Sequence, residues 1–195
     1  MEAVRKALGL EHVIVLGHSW GGLLGMKYSI KYPDHLAKLV LVDTVPADVE
    51  GIMATATNLE TRLAPIKDEI AALDDYEQLE KLNAEQINAL YRKAFSVNFY
   101  NQQEVEKLTL NMSAESALNG FKVNEMMMQD MFINLFPQLK QLKVPTVVII
   151  GEQDFIPLWT SEAIVKAIPN AKLVVIPECG HFPFVEKGAE FFGAV

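Results

Sequence analysis

Three residue types set far apart in the chain have the chemistry to turn a hydroxyl into a nucleophile. The hydroxyl comes from Gly17-His18-Ser19-Trp20-Gly21-Gly22, a G-x-S-x-G pattern lying between an apolar run and a helical one. In that context the pattern describes a sharp strand-to-helix turn that lifts the serine hydroxyl clear of the backbone. Glycine is expected at 17 and 21 because side chains there would clash. Ser19 then stands at a helix N-terminus, where aligned peptide dipoles favour developing negative charge. The Trp20 backbone N–H is placed to donate to an oxyanion. The plainer reading is a glycine-rich turn whose serine caps a helix. Strand, elbow and helix in register favour the first.

A serine hydroxyl needs an adjacent base. The chain offers His12, His18, His35 and His181. His12 precedes a strand and is expected at its solvent end. His35 follows Pro33-Asp34 in a loop. His18 adjoins the serine, but neighbours on a sharp elbow point different ways, so packing is its expected role. His181, in Cys179-Gly180-His181-Phe182-Pro183, follows the last strand and should reach the edge of the sheet where Ser19 lies. The base needs an orienting carboxylate. Asp154, in Gly151-Glu152-Gln153-Asp154-Phe155-Ile156-Pro157, is favoured over Asp43, in Val42-Asp43-Thr44, because its loop is longer and nearer His181 in chain order. The plainer reading of Asp43 is a carboxylate accepting loop N–H groups.

The elements that must position these residues are legible as short apolar runs. Val13–Leu16, Leu39–Val42, Thr146–Ile150 and Leu173–Ile176 lack polar alternation, as strands covered on both faces do. Helical patterns fall at 2–9, where Gly9 can stop the helix, at 20–31 before Pro33, at 160–168 before Pro169, and from 184 onward. Alternating strands and helices predict an α/β fold with a parallel sheet of about four strands. Between 45 and 139 no strand signal appears, and charged and apolar residues recur at helical spacing. That segment reads as a helical cap, dividing the core into 1–44 and 140–195. As a lid it would cover a site; as a plain insertion it would only add structure.

Bulk composition narrows the function classes. Among 195 residues, 25 acidic against 17 basic side chains give a formal charge of −8. An acidic surface without a basic cluster disfavours nucleic acid as a partner. No apolar run approaches the ~20 residues a membrane helix needs, and the first residues do not read as a signal peptide. The single Cys179 excludes an intrachain disulfide and a cysteine-rich zinc site, and fits a cytoplasmic location. No metal and no organic cofactor is implied.

The elbow, Tyr32-Pro33-Asp34-His35-Leu36 through Asp43, Val144-Pro145 through Asp154, and Cys179 through Pro183 together resemble the α/β-hydrolase superfamily. Within it the chain is most similar to the proline iminopeptidase-like branch with a helical cap. The order Ser, Asp, His agrees. The resemblance implies a serine hydrolase working through an acyl-enzyme, on small peptides with a free N-terminus. A carboxylesterase acting on small esters is the alternative, as is a crippled fragment or interaction module. Acidic cap residues bind the substrate amine in that branch, so Glu125, in Asn124-Glu125, becomes a candidate amine binder; otherwise it is a solvated helix charge. A second acid often follows the triad aspartate there, but here the position is Phe155, which shifts weight towards an uncharged substrate. Met127 lies in a stripe of Met126, Met128, Met131, Phe132, Leu135 and Phe136. The stripe either lines an adaptable apolar pocket or is simply core. Cys179 reads as a small buried residue, not a nucleophile.

The resemblance also implies strands and an oxyanion loop ahead of the elbow, which these 195 residues do not contain. Losing one oxyanion donor costs ~10²–10³ in rate in a comparable enzyme. The strand at 13–16 is then expected to be a hydrophobic edge. It should self-associate through that edge or take up a complementing segment.

Overall fold

The computed structural model describes residues 1–128 and 132–195, with only the backbone at 121 and 124–128. Four strands, β1 (Val13–His18), β2 (Leu36–Val42), β3 (Thr146–Gly151) and β4 (Ala171–Ile176), form one sheet in the order β1-β2-β3-β4. All three pairings are parallel. Each strand therefore ends at the same edge, with Val42 level with His18 and with Ile149. Every strand is longer than its apolar run. Leu36-Ala37-Lys38 and Ala171-Lys172 carry a polar residue yet continue the ladder, because pairing is a backbone property that an exposed lysine does not interrupt.

The helices are α1 (Glu2–Ala7), α2 (Trp20–Lys31), α3 (Val49–Leu63), α4 (Tyr76–Leu79), α5 (Ala84–Ser96), α6 (Ala114–Met128), α7 (Phe136–Leu139), α8 (Leu158–Ala167), α9 (Pro183–Glu186) and α10 (Gly188–Ala194). Gly9, at φ 65, turns the chain after α1 as expected. The single helix expected from 184 onward is instead two, because Lys187 leaves helical geometry at φ −137 and ψ 53. Alternate residues of β2 feed opposite layers. Leu39 and Leu41 join Leu23, Met26, Val148 and Ile164 under α2 and α8. Val40 and Val42 join Val147, Ile149 and Phe191 under α10. A strand so sandwiched must be apolar on both faces.

Among its described residues the segment between β2 and β3 carries helices joined by turns, with an isolated bridge between Asp48 and Asn134. That bridge, with the Leu135 N–H donating to the Ala47 carbonyl at 2.8 Å, draws the two ends of the insertion together. Val45, Ala47, Ile52 and Leu139 at those ends belong to the main core. Leu79, Ile87 and Ala117 form a separate small core within the insertion. Asp48 caps α3 through Gly51, and Asn83 with Gln86 forms a capping box on α5. At the other side of the sheet β1 pairs, among the described residues, only with β2. Ile14 and Leu16 are 64% and 48% exposed.

Candidate active site

The elbow is built from close backbone approaches. A Cβ at Gly17 would run into the Gly21 carbonyl, and one at Gly22 into the Thr44 side chain. Gly21 faces open space, so the glycine expected there for steric reasons is needed at 22 instead. α2 leans on the end of β2, and Thr44 is the residue it meets. Ser19 adopts φ 55, a left-handed conformation costly for a residue with a Cβ. Three hydrogen bonds hold it there. Its N–H donates to Val42 O at 2.9 Å, and its carbonyl accepts from Gly22 at 2.9 Å and Val45 at 3.2 Å. Strain held so firmly is typical of functional sites. The side chain of Trp20 packs on the main core while its N–H opens α2.

His181 lies beyond β4, buried, with Nδ1 3.0 Å from each carboxylate oxygen of Asp154. Asp154 sits in the turn after β3, its N–H donating to Gly151 O at 3.1 Å. The imidazole is gripped on two sides: the Phe155 ring lies 4.6 Å away and the His18 ring 4.6 Å away. The sheet edge thus brings Asp154, His181, Phe155 and the elbow together. Among the described residues no hydrogen bond joins the Ser19 hydroxyl to His181; such links are often loose without substrate. Asp43 makes no hydrogen bond to His181. Its Oδ1 accepts from the Gly151 N–H at 2.8 Å.

Several groups around His181 escaped the sequence reading. His18 was expected only to pack, but its Nε2 lies 2.7 Å from the His181 carbonyl. Burial first, then the neighbouring imidazole, hold the His18 ring down at about 4, so it is neutral and its N–H donates. The His181 N–H donates to Asn98 O, from the insertion, at 2.8 Å. Glu186 accepts from Gly180 at 2.9 Å, Phe182 at 3.4 Å and Tyr100 at 2.7 Å. It clamps both flanks of His181 and ties them to the insertion. A lone glutamate four residues past a loop gives no sequence signal of this. The Cys179 thiol is pushed far up, mainly by burial, and stays protonated.

α3 reaches the loop that carries Asp154. Asn58 donates to Phe155 O at 2.9 Å and Arg62 to Gln153 O at 2.7 Å. A cleft of about 450 Å³ runs along its flank, lined by Ala56, Leu59, Leu63 and Ile70 with Glu60, Lys67 and Asp74. The side chains of Glu125 and Met127 lie outside the described residues. From the same stripe, Leu135 and Phe136 pack on the main core and Phe132 is exposed.

The family model for the alpha/beta hydrolase fold matches residues 1–188. The chain belongs to the α/β-hydrolase family. Among its relatives, "Proline iminopeptidase PfmaB" of Pestalotiopsis fici is 27% identical over 189 residues, covering 91% of this chain and 63% of that protein. "2-hydroxy-6-oxo-6-phenylhexa-2,4-dienoate hydrolase" of Comamonas testosteroni is 27% identical over 198 residues, covering 98% and 64%. An alpha/beta fold family hydrolase of Bacillus anthracis superposes with a TM-score of 0.71 at 24% identity, covering 97% and 68%. This α/β-hydrolase chain thus spans just under two thirds of the length of those two sequence relatives. No helix among its described residues is long and apolar enough to cross a membrane.

Proposed function

We propose that this chain carries the nucleophile, base and acid of a serine hydrolase working by acyl transfer. The reading rests above all on the buried Asp154–His181 pair at the sheet edge where the strained Ser19 elbow ends. Ser19 Oγ attacks the substrate carbonyl carbon as its proton passes to His181 Nε2. Asp154 fixes the ring by taking the Nδ1–H and stabilises the imidazolium. The oxyanion accepts from the Trp20 N–H. Collapse expels the leaving group with the proton from His181 and leaves Ser19 acylated. Water, deprotonated by His181, then releases the acid and restores the Ser19 hydroxyl.

The proposed substrate is a short peptide with a free N-terminus, in line with the proline iminopeptidase relatives. A second reading, a small uncharged ester, is favoured by Phe155. It occupies the position after Asp154 and packs on the base rather than offering a carboxylate. Under either reading residues 45–139 form the cap, carrying Glu125 and Met127 as candidate contacts, and 1–44 with 140–195 form the core. A buried unpaired Cys179 suits a cytoplasmic location. The test is turnover of an N-terminal-proline anilide against a p-nitrophenyl ester, with Ser19→Ala as control. Faster anilide turnover supports the peptide reading, and ester turnover alone supports the second. No turnover above the Ser19→Ala level on either would leave a non-catalytic module.

A further inference from the structure

Asp43 is a buried titratable group that the proposed mechanism does not use. It directly follows β2 with its backbone bent to φ 42, which turns its side chain into the site. Its N–H donates to Ile149 O at 2.8 Å, and Oδ1 takes the Gly151 N–H. Oδ2 is fully buried with no hydrogen-bond partner. Beside it stand the Asp154 carboxylate and the His181 ring, with one ligand atom from each of the three residues within 4.8 Å of the others.

The groups facing this carboxyl are mostly acidic. Asp154 comes from the loop after β3, Cys179 and His181 from the loop after β4, and Glu186 from α9. Arg62 from α3 lies near Asp154, but its guanidinium donates to Gln153 O. Among the described residues neither aspartate forms an ion pair with a lysine or arginine. Two buried carboxylates so close cannot both stay ionised, so one retains a proton. Asp154 meets His181 Nδ1 with both oxygens and accepts the ring N–H. The remaining proton therefore belongs to Asp43, on its unpartnered Oδ2.

We propose that Asp43 is a neutral carboxylic acid whose Oδ2–H is directed at the Asp154 carboxylate, making it a positioning residue for the Asp154–His181 pair. Its catalytic meaning rests on the Ser19–His181–Asp154 reading; its protonation does not. A neutral donor steadies the Asp154 charge without competing for the His181 proton, whereas an ionised Asp43 would be a rival acceptor. Burial pushes the Asp43 carboxyl well above the usual carboxylate range, the Asp154 charge adds to this, and the Gly151 N–H opposes it.

The test is carbon-13 NMR of aspartate side-chain carboxyls across acid to neutral pH, with the Asp43 signal assigned through its backbone and by its loss in Asp43→Asn. The expected signal keeps the position of a protonated acid at neutral pH. A signal that titrates near the ordinary value of about 3.9 overturns the proposal. Urea unfolding of wild type and Asp43→Asn gives a second readout, because asparagine can still accept from Gly151 and donate to Asp154. A raised folded-state value means stability that is present below about 3.9 and lost as pH rises towards it. Relative to Asp43→Asn, the wild-type folding constant should therefore fall about tenfold per pH unit above ~4 until Asp43 ionises. Parallel curves would overturn the proposal. Fluorophosphonate labelling of Ser19 separates the two readings. Normal labelling with an ordinary Asp43 titration sinks only this proposal, and failed labelling with a raised titration sinks only the hydrolase.

Discussion

His18 sits next to Ser19, yet its polar atom serves the His181 loop. Its neutral ring donates to the His181 carbonyl and lies tilted against the His181 imidazole. Holding the ring at about 4 rather than 6.5 has a pH signature. A lowered folded-state value gives stability that is fully present above about 6.5 and lost as pH falls towards 4. The loss is about 3 kcal/mol. Urea unfolding should therefore show wild-type stability falling more steeply across that window than His18→Asn. Equal slopes would contradict a buried neutral His18. The elbow at Ser19 and the meeting of the loops that carry Asp154 and His181 were legible, because those signals are local. The His18 contact was hidden, since it depends on where a distant loop closes.

At the scale of elements, the elbow is a contact between α2 and the end of β2. Gly17→Ala and Gly22→Ala should each destabilise by about 1–3 kcal/mol, as overpacking does. Gly21→Ala should be neutral, or stabilising by up to about 1 kcal/mol, since it removes a helical glycine from open space. Thermal unfolding of the three variants checks this, and a Gly21→Ala as damaging as the other two would contradict it. The shift from 21 to 22 could not be seen in sequence, where the pattern points to 21; the position of Thr44 decides it. The Glu186 clamp is likewise a meeting of elements, joining α9, the His181 loop and Tyr100. In Glu186→Ala, amide exchange should quicken at Gly180, Phe182 and Tyr100 while the strands stay protected. Unchanged exchange there would show that Asn98 alone suffices to hold the loop.

For the whole molecule, the parallel sheet and the helical insertion were readable from apolar runs and from helical spacing between 45 and 139. The neck at Asp48 and Asn134 was not, because a single bridge has no periodicity. The open side of β1, with Ile14, Leu16, Val4 and Leu8 exposed, leads to an expectation for the isolated chain. It should pair with a second copy along that strand, since exposed apolar edges template pairing. Light scattering over a range of concentrations should show association. A monodisperse monomer with concentration-independent unfolding would contradict it. The central claim, that these elements converge to activate Ser19, is tested most directly by mass spectrometry of the protein after treatment with a fluorophosphonate. One adduct is predicted, on the peptide containing Ser19. It should be absent in Ser19→Ala and formed about 10⁴-fold more slowly in Asp154→Asn, by analogy with loss of the triad acid elsewhere. Folded protein that stays unmodified at Ser19, or that reacts equally fast without Asp154, would contradict the account.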